Sequence, residues 1–320
     1  MIRWIRTLEE REHARRVGLA LAGVTALVSG VSVFLNASAV RAVGNPVLFT
    51  TLKNGVAAII LLGLALALVP RAADRLRASP PRTLIGLVAL GVIGGSIPFV
   101  LFFTGLAQAS APAAAVIHKT LFAWVALLAV VLLRERLGGL QLAALGVLLL
   151  SQLLIQPPDG MRWASGESLI AIATGMWAVE VIIAKRVLGE IPSPIAAAAR
   201  MGIGLVLLVA YLAITGGLAG IGTLGAEQWA WVLGTGVLLS AYVATWYAAL
   251  RRAPATAVTA VLTLGAPMTA ALQLVANGQL PAPGAVAGYA GTLAAAMAVA
   301  WLALRRPIPA PATAPHGVAA

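Results

Sequence analysis

Apolar runs of about 20 residues, enough to cross a bilayer core of roughly 30 Å, recur along the whole chain. Hydrocarbon offers no water to peptide groups, so each run must satisfy its own backbone hydrogen bonds. The runs are continuous rather than alternating, which selects helices over a β-barrel. Composition agrees. With 61% of 320 residues hydrophobic and 10% charged, the chain lacks the polar surface of a water-soluble fold. The expected fold class is an all-α polytopic membrane protein. Ten spans are expected near 17–38, 46–69, 83–107, 111–133, 138–156, 167–188, 193–215, 228–250, 254–276 and 284–304. Turn residues separate them: Gly44-Asn45-Pro46, Ser79-Pro80-Pro81, Pro157-Pro158-Asp159-Gly160, Pro192 with Pro194, and Pro281 with Pro283.

The net charge of +12 would suggest nucleic acid in a soluble protein. Its distribution gives another explanation. Seventeen cations fall on one side of the ten-span plan, in the N-terminal segment (Arg3 to Arg16), the even-numbered loops and the tail. Only Arg41 and Arg162 fall on the other side. That asymmetry places both termini in the cytoplasm of a cell (inner) membrane protein and removes nucleic acid as a partner. Ala37-Ser38-Ala39 after an apolar run resembles a signal-peptide cleavage site. The run 17–35 exceeds the usual core of about 7–15 residues, so it is kept as the first span. Residues 1–16, with Ile2, Trp4, Ile5 and Leu8 on one side, are expected at the interface, and the Pro- and Ala-rich residues 306–320 as a loose tail. No cysteine is present, and His13, His118 and His316 lack metal-ligand spacing, so no metal or cofactor is expected.

The fourth span opens "APAAAV" (111–116) and the ninth "APATAV" (253–258), each after a helix ending in aromatic and small residues. The second span begins Asn45-Pro46 with Lys53 inside it, and the seventh Ser193-Pro194 with Arg200 inside it. The unit is five helices, at 17–156 and 166–305. Five being odd, the second copy lies inverted, an arrangement suited to alternating access at a midplane site. At this point "TGMWAVEVIIAKRV" (174–187), "SPIAAAARMG" (193–202) and "APATAVTAVLTLGAPMTAAL" (253–272) make the chain resemble the EamA family of the drug/metabolite transporter superfamily. The resemblance implies a secondary transporter, typically an exporter or exchanger of small metabolites such as amino acids. Two stretches depart from it: "LVSGVSVF" (27–34), where the family commonly carries a tryptophan, and "IHKTLFAW" (117–124), where a proline is common.

Five ionisable groups lie within spans: Lys53, His118, Lys119, Glu180 and Arg200. At a rise of 1.5 Å per residue, Lys53 and His118 each sit about 10 Å from the end of their helix. Glu180 and Arg200 are equally far from the turn near 190, and Asn36 and Lys53 from the turn near 44. Three cations meet one carboxylate, and the excess calls for an anionic ligand or a wet cavity. Because His118 and Lys119 diverge by about 100° around their helix, both cannot face lipid. The fourth helix is therefore expected to line a cavity, with Lys53, His118, Lys119, Arg200, Asn36 and Trp177 binding substrate and His118 or Glu180 carrying a coupling proton. The same residues admit other roles. Lys53 and Arg200 are near enough to an interface to snorkel, Glu180 and Arg200 can form a structural pair, and the aromatics can simply pack. Gly94-Gly95 with Pro98, and Pro267, mark expected bends.

The expected function is secondary transport of a small anionic or zwitterionic metabolite across the membrane, coupled to a proton gradient. Phosphorylated compounds are the alternative cargo. An intramembrane enzyme built on Ser29 or Ser32 with His118 has no motif to hold it together, and a non-transporting scaffold leaves the repeat without a purpose. Oligomeric state is not legible in the sequence.

Overall fold

The computed structural model describes residues 2–106, 108–109, 111–157, 163–278 and 280–306. The mid-chain turn at 158–160, Arg162, His316, the tail beyond Arg306 and the side chains of Ile2, Trp4, Ile5 and Leu8 lie outside the described residues. Among the described residues every regular element is helical. The first repeat carries α1 (Ile2–Val43), α2 (Pro46–Leu68), a short α3 (Ala72–Arg77), α4 (Pro81–Ala89), α5 (Ile97–Leu106), α6 (Ala111–Lys119), α7 (Leu121–Leu132) and α8 (Gly139–Ile155). The second carries α9 (Ser165–Val187), α10 (Ser193–Ile214), α11 (Ala226–Arg252), α12 (Ala255–Leu262), α13 (Gly265–Asn277) and α14 (Pro283–Arg305). Eight stretches are long and apolar enough to cross a membrane; Val116–Leu132 and Gly139–Ile155 are shorter apolar helices. Residues 2–16, expected as a separate interfacial segment, continue α1 without a break.

Helix ends follow from local chemistry. Gly44 takes a left-handed φ of 77° after α1. Asn45 then accepts with Oδ1 from the amides of Val47 (3.1 Å) and Leu48 (3.0 Å), and Pro46 opens α2 where no amide is needed. Glu167 and Gln228 cap α9 and α11 alike, accepting from the amides of Ala164 (3.1 Å) and Gly225 (3.0 Å). The outward faces are hydrocarbon: Ile59 and Leu140 are 73% exposed and Ile214 86%. Patches of that kind are stable against lipid rather than water.

Helix pairing is unchanged when the two repeats are exchanged. α2 packs on α10 and α8 on α14, joining like to like across the repeats. α1 packs on α11 and on α12–α13, while α9 packs on α5 and on α6–α7. Threonine and glutamine side chains tie several of these seams, as expected where apolar burial gives helices no mutual attraction. Thr25 donates to Thr245 (2.8 Å), Thr269 to the Gly30 carbonyl (2.9 Å) and Gln152 to Thr292 (2.9 Å).

The third span is interrupted. A π-helical turn (Leu90–Gly94) and a bend at Gly95-Ser96 separate α4 from α5. The cause is legible: Pro98 has no amide to give the carbonyl of Gly94 four residues earlier. Ser96 Oγ donates to the carbonyls of Gly91 and Val92, both at 3.1 Å, inside the irregular turn. Here α10 comes so close that a Cβ on Gly95 would stand 2.4 Å from the carbonyl oxygen of Arg200 and 3.0 Å from Gly204 Cα. Gly95→Ala is expected to lower stability by about 1–3 kcal/mol, the cost of overpacking a rigid contact. Thermal unfolding in detergent, with Gly175→Ala as an uncrowded control, measures it.

The basic segments meet at one end of the bundle. Arg15 donates to the carbonyls of Arg306 (2.8 Å) and Leu304 (2.7 Å), closing the end of α14. Lys185 reaches the carbonyls of Leu250 (2.5 Å) and Ala253 (2.6 Å), and Arg186 that of Leu132 (2.9 Å). In the other direction Glu135, just past α7, accepts from the amides of Ala255 (2.7 Å) and Thr256 (3.3 Å) at the start of α12. Arg15, Arg186 and Glu135 thus cap helix ends of the other repeat and Lys185 one of its own, cations at C-termini and a carboxylate at an N-terminus. Glu190 accepts from Thr83 and pairs with Arg82 (2.8 Å) at the same end. The Thr83 hydrogen bond, and after it the Arg82 charge, hold the Glu190 carboxyl below its ordinary range against some desolvation. Its stabilisation is therefore complete above the ordinary carboxylate pKa and lost as pH falls through the depressed value. Glu190→Gln should lower the melting temperature slightly at neutral pH, and the gap to the parent protein should close in acid.

Candidate functional site

The fourth and ninth spans are both broken, and by the same device. At Thr120 the backbone amide turns back to the Ile117 carbonyl (3.1 Å) and the hydroxyl donates to the same oxygen (2.6 Å). At Thr263 the amide reaches the Ala260 carbonyl (3.2 Å), again with the hydroxyl at 2.6 Å. These tight turns end α6 and α12, and α7 and α13 restart just past them. Pro267 occupies the first turn of α13, so the expected bend lies one turn before it. Aligning the two AP-A-AV motifs sets Thr263 opposite Leu121, so the breaks are repeat counterparts.

Between the breaks lies a cavity of about 380 Å³, within the range of small-molecule sites, about 300–1,000 Å³. His118, Lys119 and Leu121 form one wall and Thr263, Gly265 and Ala266 the facing one; Ser29, Gln152, Gln156, Gln273 and Tyr289 supply further polar groups. Among the described lining residues there is no carboxylate. The described ion pairs are Arg82–Glu190 and Arg200–Glu180, so Lys119 brings a cation that neither pair neutralises.

His118 joins this cavity to the interior. Its ring makes edge-on contacts with Trp177 (5.1 Å between centroids) and Phe102 (5.2 Å), and its buried Nδ1 has no hydrogen-bond partner. Trp177 Nε1 donates to the Gly94 carbonyl (3.3 Å), the acceptor left free by Pro98. Arg200 Nη2 donates to that same carbonyl (2.9 Å), and Arg200 Nε to Glu180 Oε1 (3.2 Å). Tyr247 donates to the same carboxylate oxygen at 2.5 Å. Glu180 and Arg200 are 3% and 7% exposed, so charge and hydrogen bonds are satisfied internally rather than by water. A continuous contact path runs from the cavity through His118 and Trp177 to this polar knot.

The nominated residues therefore do not share one site. His118 and Lys119 stand in the cavity wall with Trp177 behind them. Glu180 and Arg200 are paired outside the cavity, as their equal distance from the turn suggested. Lys53 is buried on α2 with Nζ 5.0 Å from the Phe49 ring centre, in cation–π range, and is not a lining residue. Asn36 keeps a buried Oδ1 without a partner, and among the described residues no hydrogen bond joins it to Lys53. Ser29 lines the cavity beside His118, but among the described residues they share no hydrogen bond. What the sequence reading passed over is the uncharged polar lining. Gln152 with Gln156 and Thr259 with Thr263 are one helical turn apart, a polar stripe in apolar helices that a search for ionisable groups overlooks.

The model of the EamA-like transporter family matches residues 16–156 and again residues 164–301. The chain belongs to the EamA-like transporter family. As an EamA-like transporter, within the drug/metabolite transporter superfamily, it is a multi-pass membrane transporter with a small-molecule substrate. A solved crystal structure of a protein is similar to this EamA-like chain with a TM-score of 0.71 at 18% identity, covering 91% of this chain and 99% of its own. At that identity the likeness carries the fold alone. No curated protein matches the chain.

Proposed function

We propose that this EamA-like protein is a secondary active transporter that exports or exchanges a small anionic or zwitterionic metabolite, such as an amino acid, by alternating access. In this reading there are ten spans, the shorter Val116–Leu132 and Gly139–Ile155 included. The basic end and both termini face the cytoplasm of a cell (inner) membrane. The observation that carries the reading is the cavity between the two breaks, whose one lysine, Lys119, meets no carboxylate in the described wall. A substrate carboxylate would supply the missing charge. Gln152, Thr263 and Tyr289 would orient the rest of the molecule by hydrogen bonds. His118, in the wall and next to Lys119, is the proposed proton carrier, while Glu180 serves the knot.

Phosphorylated cargo fits less well. It favours clustered cations, whereas Lys53 and Arg200 stand apart from Lys119. Flux of labelled amino acids into reconstituted vesicles, with and without an imposed pH gradient, tests the reading. Saturable uptake that responds to the gradient is expected. Saturable flux indifferent to pH would remove proton coupling, and flux confined to phosphate esters would replace the substrate class.

A further inference from the structure

A second cavity, of about 790 Å³, opens at the basic end, between the loop after α7, the start of α12, the end of α14 and the early part of α1. None of the nominated substrate residues lines it. Four arginines do (Arg15, Arg134, Arg136 and Arg306), with one acidic residue, Glu135. That carboxylate is already engaged by the amides of Ala255 and Thr256, so it offsets the dipole of α12 rather than the arginines.

The wall also holds polar atoms with nothing to bind. Arg15 is 9% exposed and spends its two terminal nitrogens on the end of α14, leaving Nε buried without a partner. Thr256, 2% exposed, has a buried hydroxyl without a partner, and Gln141, 5% exposed, an unpartnered amide oxygen. Buried donors are seldom left unsatisfied, because the water they gave up is not replaced. Arg15 Nε–H and the Thr256 hydroxyl are unpartnered donors beneath a wall that carries four arginines, at the end of the bundle where the basic segments meet.

We infer that this cavity is a binding site for a net-anionic phosphate group, separate from the transport cavity. Arginine forks and a hydroxyl suit the tetrahedral oxygens of such a group better than a single carboxylate. The phosphate can belong to an anionic lipid headgroup entering from the surrounding leaflet or to a soluble phosphate. Both satisfy the same donors.

Thermal unfolding of the full-length protein in neutral detergent tests this. The additions are inorganic phosphate, short-chain phosphatidylglycerol, phosphatidylcholine of equal chain length, and sodium chloride at matched ionic strength. Phosphate or phosphatidylglycerol should raise the melting temperature saturably, while phosphatidylcholine and chloride do not. A response to phosphatidylglycerol alone assigns a lipid, to phosphate alone a soluble anion, and to both the phosphate group itself; each supports the site. Arg136→Gln with Arg306→Gln should weaken the apparent affinity by about tenfold or more, the loss of at least one of two charge-assisted contacts. Thr256→Val, which keeps every charge, should weaken it less, and Lys119→Ala should leave it unchanged. No stabilisation by either phosphate source, or an equal effect of chloride, would overturn the inference, as would an undiminished response in both the arginine and threonine variants.

Discussion

Lys119→Ala should raise the substrate concentration for half-maximal flux by about 30-fold or more, because removing one side of a buried charged contact costs roughly 2–5 kcal/mol. The protein should nonetheless fold, since Lys119 belongs to neither described ion pair and its removal strands no buried carboxylate. Lys119→Arg keeps the charge but replaces a compact ammonium with a planar fork in a cavity of about 380 Å³. It should retain binding with altered selectivity. Vesicle flux and ligand-induced thermal shift give the two readings independently. Unchanged flux in Lys119→Ala would detach the cavity from transport.

The second large effect concerns stability. Glu180→Ala leaves the Arg200 guanidinium buried without its counter-charge and takes the acceptor from Tyr247. Breaking a buried pair from one side costs about 3–5 kcal/mol, whereas replacing both partners with apolar groups is often close to neutral. Thermal unfolding should therefore show a large loss for Glu180→Ala and substantial recovery when Arg200→Met is added. A Glu180→Ala protein of normal stability that has lost only its response to a pH gradient would put Glu180 on the proton path instead.

Different parts of this architecture were legible to different degrees. The spans could be read because hydrocarbon demands about 20 apolar residues and the chain changes to Gly, Pro and charge between most of them. The interruption of the third span was readable from Gly94-Gly95 and Pro98. The break at Thr120, counterpart of the one at Thr263, was not, because it uses a threonine hydroxyl where no glycine or proline stands. Counting residues from a turn gives depth, and depth found the meeting of Glu180 with Arg200. It says nothing of direction around the helix. Lys53, level with His118, accordingly sits beneath Phe49 on a helix packed against α10 and α11 rather than in the cavity. The polar wall formed by Gln152, Thr263 and Tyr289 escaped notice because each residue alone is ordinary, and only the fold makes them neighbours.

The irregular turn before Pro98 belongs to one half of the molecule only. Its counterpart α11 runs unbroken, and on the motif alignment Ser240 stands where the first half has Pro98. In the alternating-access cycle proposed above, the two end states would then differ in energy, because the first half carries this kink and the second does not. On that reading the resting orientation of the empty carrier would follow from the difference, with a single helix setting the direction in which the cycle idles.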